Sequence, residues 1–376
     1  MKNREIFRRG SFDRPLFIIT LLLFVIGLIM IFSASALMAA EKYHQPFHFL
    51  IEQVKGAIIG FALLLIIMMT KRDIFRWSAF VLSLLILCFV LLSLCFLMPP
   101  ISGANRWVKL FGMSFQPSEL TKISLILFIA FYLEKKKDHL NEVKTILPLM
   151  AVIGLSALLI LSEPDVGTAV LILFISFLLL FIGGTKFRYL VAASVLALSF
   201  FLLYFLHLPK EDYRRQRWEA FLAPEEHRER AAFQILQSKL AIGSGGFLGV
   251  GLGESTRKLY FLPCAQTDFI YAVIGEEFGL LGTISVLVLY LLFFWRGWKI
   301  AQKATSLSYQ LASYGLTLMI CCQALLNISI VLALGPTKGV PLPFISYGRS
   351  ALVCNLVAVG LLLNISQRKV NNLVIK

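Results

Sequence analysis

About ten apolar stretches follow one another along this chain, each close to the length at which a helix crosses the hydrocarbon core of a bilayer. They lie near 15–37, 49–69, 77–98, 117–133, 146–162, 167–184, 189–208, 269–295, 311–334 and 344–365. In lipid, a spanning segment must satisfy its own backbone polar groups, and an apolar run of this length does so as a helix. The pattern therefore predicts an all-α integral membrane protein with about ten transmembrane helices and a large outer loop between helices 7 and 8. Composition agrees: 58% of residues are hydrophobic and 15% charged, against roughly 25% charged in a soluble domain. The stretches at 117–133 and 167–184 are short enough for a tilted, re-entrant or broken helix.

Loop charge sets the expected orientation, because short cytoplasmic loops are enriched in Lys and Arg. One set of alternate segments holds Lys2, Arg4, Arg8, Arg9, Arg14, Lys71, Arg72, Arg76, Lys135, Lys136, Lys137, Lys144, Lys186, Arg188, Arg296, Lys299, Lys303, Arg368, Lys369 and Lys376. The other short loops hold Lys42, Lys55, Arg106, Lys109, Lys338 and Arg349. Both termini are thus expected in the cytoplasm, with tails at 1–14 and 366–376, a single membrane domain over 1–376, and an extracytoplasmic loop over 209–268. The formal charge of +15 reads as a topology signal, with anionic membrane lipids as its partner and no nucleic acid. Ser33-Ala34-Ser35-Ala36 resembles a signal-peptidase site but follows an apolar run too long for one, so the first helix is expected to be uncleaved. Cys88, Cys95, Cys321, Cys322 and Cys354 fall within spans and Cys264 in the outer loop, which gives no disulfide or metal-ligand framework. The sequons at Asn327 and Asn364 also fall within spans.

Chemistry is expected in and around the outer loop. Its first half, KEDYRRQRWEAFLAPEEHRER, suggests an amphipathic helix lying at the interface. Glycines in its second half, around IGSGGFLGVGLGE, give a backbone able to bend tightly around a ligand, or a flexible hinge. No phosphate loop and no G-x-G-x-x-G frame is present.

Ionisable groups in or beside spans are costly in lipid, which makes each a functional candidate. In QPSELTK, Pro117 suits the first helical position, and Glu119 and Lys122 share a face three residues apart. They read either as an ion pair that holds helices in register or as the wall of a polar cavity. Arg106, beside Trp107, reads as a snorkelling cation or a phosphate grip. Glu163 and Asp165 occupy a tight outer turn. Asp268, just before an apolar helix that contains Glu276 and Glu277, is either an N-cap or a partly desolvated general base. GPTKGVPLPFISYG, with Lys338 and Ser346, predicts irregular backbone lining a crevice. Gln323 and Asn327 add amides to one face of the span before it.

Four blocks taken in order, GANRWVKLFGMSFQPSELTK, EPDVGTAVLI, QSKLAIGSGGFLGVGLGESTRKLYFLPCAQTDFIYAVIGEEFGLLG and GPTKGVPLPFISYG, resemble the SEDS family of bacterial cell-wall polymerases over nearly the whole chain. The spellings IGEEFG and PTKGVPLPFISYG are similar to the family's cell-division branch. The resemblance implies ten helices with both ends inside, in the bacterial cytoplasmic membrane and at the division septum. It also implies a peptidoglycan glycosyltransferase that joins lipid II, the undecaprenyl-pyrophosphate-linked precursor, into glycan strands on the outer face. Its essential aspartate maps to Asp268 in TDFI, and its cavity residues map to Glu119 and Lys122. Two departures stand out: Gly348-Arg349 where the family reads a double glycine, and Ala223-Pro224 where it often carries an Asp-Pro step.

Such a reaction needs a base for the acceptor hydroxyl and cations for the departing pyrophosphate. Asp268 is the candidate base; Arg214, Arg215, Arg217, Lys239, Arg257 and Lys258 are the loop cations available. Arg106, Glu119, Lys122, Lys239, Lys258, Lys338 and Ser346 are the candidate substrate contacts. No cofactor is demanded, although a divalent cation, Mg or Mn, could share the neutralising work without a clustered carboxylate cage to hold it. The chain carries no transpeptidase motif, so crosslinking falls to a partner, a class B penicillin-binding protein, alongside other division proteins. A lipid II flippase and a non-catalytic division scaffold remain as rival readings.

Overall fold

Once lipid removes water as a competing partner, apolar runs close their own hydrogen bonds as helices. In the computed structural model, which describes residues 8–71, 73, 77–99, 105–110, 113–140, 142–209, 212–222, 230–260, 262 and 264–369, these are α1 (Arg14–Tyr43), α2 (His48–Met69), α3 (Ser78–Cys95), α4 (Pro117–Lys135), α5 (Val143–Ser162), α6 (Val166–Ile182) and α7 (Phe187–Leu206). The long connection that follows carries α8 (Tyr213–Leu222), α9 (Arg230–Gly245) and α10 (Arg257–Tyr260). The chain then re-enters as α11 (Ile270–Gln302), α12 (Leu307–Val331) and α13 (Arg349–Ser366). Lys2, Arg4, Arg72, Arg76, Gly103, Ala104, Ala223-Pro224 and Lys376 lie outside the described residues.

Eight of these helices, α1 to α3, α5, α7 and α11 to α13, are long and apolar enough to cross a membrane. The other two expected spans are α6, apolar over 17 residues, and α4, whose 19 residues include Glu119, Lys122, Glu134 and Lys135. Neither is broken. The broken helix is α11, where Gly279 takes φ 60° inside an otherwise continuous run. The last helix begins at Arg349 rather than near 344, because residues 336–348 follow an irregular path. Helix starts show local causes. Asp13 accepts from the Leu16 amide and Ser306 from the Tyr309 amide, while Pro117 opens α4, where no amide is needed.

The centre of the bundle is α4, α12 and α13, each with most of its residues buried, whereas α7 buries only Leu190 and stands at the edge. Small residues set the close approach of α2 and α13. A Cβ on Gly60 would stand 2.5 Å from Leu356, and one on Gly360 would stand 3.0 Å from the Leu64 backbone. Asn364 donates to the Ile67 and Thr70 carbonyls at the same end, so this sequon asparagine is an interhelical tie.

The first and last described residues meet at one end of the bundle. Strand β1 (Arg8–Arg9) pairs antiparallel with β4 (Arg368–Lys369), the remaining strands β2 (Val108–Leu110) and β3 (Met113–Phe115) forming a hairpin ahead of α4. The Asp13 amide donates to Ser366 Oγ at 3.1 Å, its carboxylate pairs with Arg296, and Tyr309 donates to Asp73 at 2.8 Å.

The glycine-rich segment of the long connection closes on the break in α11. Val250 and Gly251 donate to the Glu276 and Glu277 carbonyls, and Leu280 donates back to the Gly246 carbonyl, each at 3.0 Å. Glycine is needed because the two backbones touch: a Cβ on Gly249 would stand 2.1 Å from the Glu277 carbonyl oxygen. Lys258 locks the same junction, pairing with Glu277 at 2.6 Å while both share Ser33 of α1. Gly249→Ala should therefore lower the thermal midpoint in detergent much more than Gly253→Ala. Gly253 also has positive φ but open space around it, so its change carries only a left-handed backbone cost of about 1–2 kcal/mol. Equal losses, read by fluorescence-detected size exclusion after heating, would show that the close approach does not matter.

Candidate active site

Four polar stretches separated by long reaches of sequence converge at the end of the bundle opposite β1 and β4. Arg106 brings the first two together: its Nε donates to the Glu163 carbonyl at 2.9 Å and its Nη2 to the Pro164 carbonyl. Asp165 caps α6 through the Thr168 amide at 3.1 Å and takes Gln116 Nε2 at 3.3 Å, which fixes the turn to the start of α4. Asn327 of α12 ties the other two, its Nδ2 donating to the Asp268 carbonyl at 2.8 Å and the Val340 carbonyl at 2.7 Å. Arg217 of α8 reaches over to the Thr337 carbonyl at 3.3 Å.

The result is a cleft lined by Arg106, Asp165, Gly167, Arg214, Arg217, Trp218, Thr337, Lys338 and Gly339, among others. Beneath it lies a polar recess that shares Asp165, Gly167, Gly339 and Val340 with the cleft and is floored by Gln116, Glu119, Lys122 and Gln323. Lys122 pairs with Glu119 at 2.9 Å and donates to Gln323 Oε1 at 2.6 Å, all three buried. Glu119 Oε2 is buried without a partner. The two side chains thus form an ion pair within α4 and line the floor of the recess.

Asp268 abuts Gly339, where a Cβ would stand 3.2 Å from its Oδ2. A side chain at 339 would crowd the carboxylate. Burial pushes the Asp268 carboxyl up to about 6, against the pull of the Arg217 and Arg106 charges. Asp268 does not serve as the cap of α11, whose N-cap position is Phe269 with no side-chain cap bond. Burial also holds the Lys338 ammonium below its ordinary range, opposed by Asp165. Glu163 is fully buried, and burial raises it to about 8 against the hydrogen bond of the Cys95 thiol.

Other sequence candidates lie elsewhere or are drawn into internal bonds. Lys258 is spent on Glu277 at the α11 break. Arg257 donates to Gln237 at 2.6 Å, Arg215 pairs with Glu219 at 2.9 Å, and Lys239 is on an exposed face of α9. Ser346 is a bracket: its Oγ accepts from the Leu342 amide at 2.9 Å and donates to the Thr267 carbonyl, which fixes the segment that carries Asp268. Arg349, at the departure from the double glycine, turns to Glu52 of α2. Sequence reasoning named Arg214 and Arg217 only as members of a larger cation set, and nothing in their spacing singled them out. It missed Trp218 and Thr337 as cleft walls.

Among the described residues no three His, Cys, Asp or Glu side chains converge. The Asp165 oxygens are taken up by Thr168 and Gln116, and the charges of two guanidinium groups reach Asp268. These described side chains do not by themselves assemble the roughly six oxygen ligands of a hard cation.

Comparison with known proteins gives this arrangement a family. The FtsW/RodA/SpoVE sequence family, described as "Cell cycle protein", matches residues 13–371. The chain is 40% identical over 362 residues to the probable peptidoglycan glycosyltransferase FtsW of Geobacter sulfurreducens, covering 95% of each chain. It is 37% identical over 365 residues to stage V sporulation protein E of Bacillus subtilis, covering 96% of this chain and 98% of that one. Its fold matches a chain from a peptidoglycan synthase complex that coordinates polymerization and crosslinking, with TM-score 0.75, 26% identity, and 95% and 98% of the two chains covered. It also matches the rod shape determining protein RodA of Thermus thermophilus, with TM-score 0.68 and 26% identity over 95% and 97% of the chains. On a match that runs from the first helix to the last, the chain belongs to the FtsW/RodA/SpoVE family of cell cycle proteins.

Proposed function

We propose that the protein is a peptidoglycan glycosyltransferase that polymerises lipid II during cell division, with Asp268 as general base. The observation that carries this reading is the half-buried Asp268 carboxylate at a cleft walled by Arg106, Arg214, Arg217 and Lys338. The names of its relatives, probable peptidoglycan glycosyltransferases among them, support it. Asp268 takes the proton of the acceptor sugar hydroxyl as that oxygen attacks the anomeric carbon of the donor. The bond from that carbon to the pyrophosphate oxygen breaks, and the lipid pyrophosphate leaves with the bonding electrons. Guanidinium groups in the cleft offset the charge that develops on it. A carboxyl titrating near 6 is largely ionised at neutral pH yet basic enough to accept a proton in the transition state. Glu119 and Lys122 are assigned to the cavity floor, where they shape the recess. Ser346 positions Asp268 through Thr267. The excess of cations at the end of the bundle that carries β1 and β4 supports a cytoplasmic placement for that end, and an outward-facing cleft. The likeness to a complex of polymerization and crosslinking supports a transpeptidase partner.

Asp268→Asn keeps size and shape but cannot accept a proton. Polymer formation from purified lipid II should fall by about 10²–10⁴-fold with an unchanged size-exclusion profile. A well-folded Asn variant with wild-type rate would exclude Asp268 as the base.

The pH profile supplies a second test. Because the base must be ionised, activity should fall as pH drops through about 6. Arg217 holds the Asp268 carboxyl lower than burial alone would, so Arg217→Gln should move this acid limb to higher pH, apart from any loss in maximal rate. A limb that stays in place would mean another group titrates.

A further inference from the structure

The end of the bundle that carries β1 and β4 holds a second charged hollow, far from the cleft, which the glycosyl-transfer reading does not use. Its volume is about 580 Å³, and its walls come from the start of α1, the last turns of α11 and the end of α13. Arg296, Lys299 and Lys303, spaced three and four residues apart, present cations from one face of α11, and Arg14 adds a fourth from α1. Asp13 is the single carboxylate in the lining, and it is already committed to the Leu16 amide at 3.0 Å and to Arg296 Nε at 3.1 Å. Among the described residues, Arg14, Lys299 and Lys303 have no carboxylate partner. Lys299 Nζ lies 3.6 Å from the Trp295 ring centroid, a contact that orients the ammonium without neutralising it. Phe12, Pro15 and Ile300 give the same hollow an apolar wall. Trp295, which carries the Lys299 contact, is exposed, as tryptophans are at the level of lipid headgroups.

A concave site with uncompensated cations on one side and hydrocarbon on the other, at the boundary of the spanning helices, matches an anion that carries its own apolar tail. We infer that this hollow binds the phosphodiester headgroup of an anionic phospholipid, with Arg14, Lys299 and Lys303 on the phosphate and the acyl chains leaving past Phe12 and Pro15. A bound headgroup would bridge the start of α1 to the end of α11, two elements that Asp13 already links to each other and to Ser366. Several cations around one hollow favour a headgroup with two phosphodiesters, cardiolipin, over one with a single phosphodiester, phosphatidylglycerol.

The test uses the full-length protein, delipidated in neutral detergent, with native mass spectrometry to follow retention of added cardiolipin, phosphatidylglycerol or phosphatidylcholine. Wild type should keep the anionic lipids over phosphatidylcholine and gain thermal stability from them, and millimolar inorganic phosphate should not displace them. Lys299→Gln with Lys303→Gln should weaken anionic-lipid retention about tenfold or more, while the paired changes Lys299→Arg and Lys303→Arg should preserve it. Arg14→Gln, on a separate element, should weaken it as well and serves if the paired Gln variant fails to fold. Unchanged retention in the Gln variants, equal retention of phosphatidylcholine, or displacement by inorganic phosphate as a soluble anion would each overturn the assignment.

Discussion

Where backbone leaves the helix at membrane depth, each amide and carbonyl it exposes must find a partner inside the protein, and the candidate active site is built from such backbone. Side-chain amides and a hydroxyl stand in for the missing ladder. Asn327 holds the Asp268 and Val340 carbonyls, Gln323 the Pro341 carbonyl, Gln53 the Ser346 carbonyl and the Gly348 amide, and Ser346 the Leu342 amide and Thr267 carbonyl. The Tyr347 amide closes directly on the Gln266 carbonyl at 2.9 Å. These ties join residues 264–269 to 336–348 as one unit, and they fix where the Asp268 carboxylate can point.

That unit also decides the electrostatics. Asp268 could not stay half-buried and reactive beside bare hydrocarbon, and it would be too weak a base in open water. The guanidinium charges of Arg106 and Arg217 moderate the burial effect and leave the carboxyl near 6. The same guanidinium groups are tethered by backbone carbonyls at Glu163, Pro164 and Thr337, so their orientation at the cleft is fixed in advance. Deeper in, Lys122 and Glu119 are tolerated because they are paired and Gln323 takes a second ammonium proton. Removing one member would strand the other, the costly case for a buried pair.

The helices were legible because lipid makes apolar length nearly a sufficient signal: each of the ten expected spans corresponds to a helix. The polar stretches around Arg106, Glu119, Asp165, Asp268 and Lys338 were legible because a polar group at a span boundary is conspicuous. What could not be read was pairing at long range. Lys258 and Arg217 are both cations of one loop, yet one meets Glu277 at the α11 break and the other reaches the cleft, a choice made by tertiary contacts with no local period. Ser346, in a stretch rich in glycine and proline, gave no sign that its hydroxyl serves the backbone. The glycines from 245 to 253 read as a ligand loop or a hinge, with no sign in the sequence of the close contact between two backbones that Gly245 and Gly249 also permit. Gly279, inside an apolar run, concealed the break altogether.

The most direct measurement of the central claim is the fate of purified lipid II in liposomes that contain the wild-type protein, alone and with a class B penicillin-binding protein. Glycosyl transfer at the Asp268 cleft predicts glycan polymer on the side of the membrane where the cleft opens, with one undecaprenyl pyrophosphate released for each new sugar linkage. Lipid II that crosses the bilayer unchanged, with neither polymer nor released pyrophosphate lipid under either condition, would contradict the account.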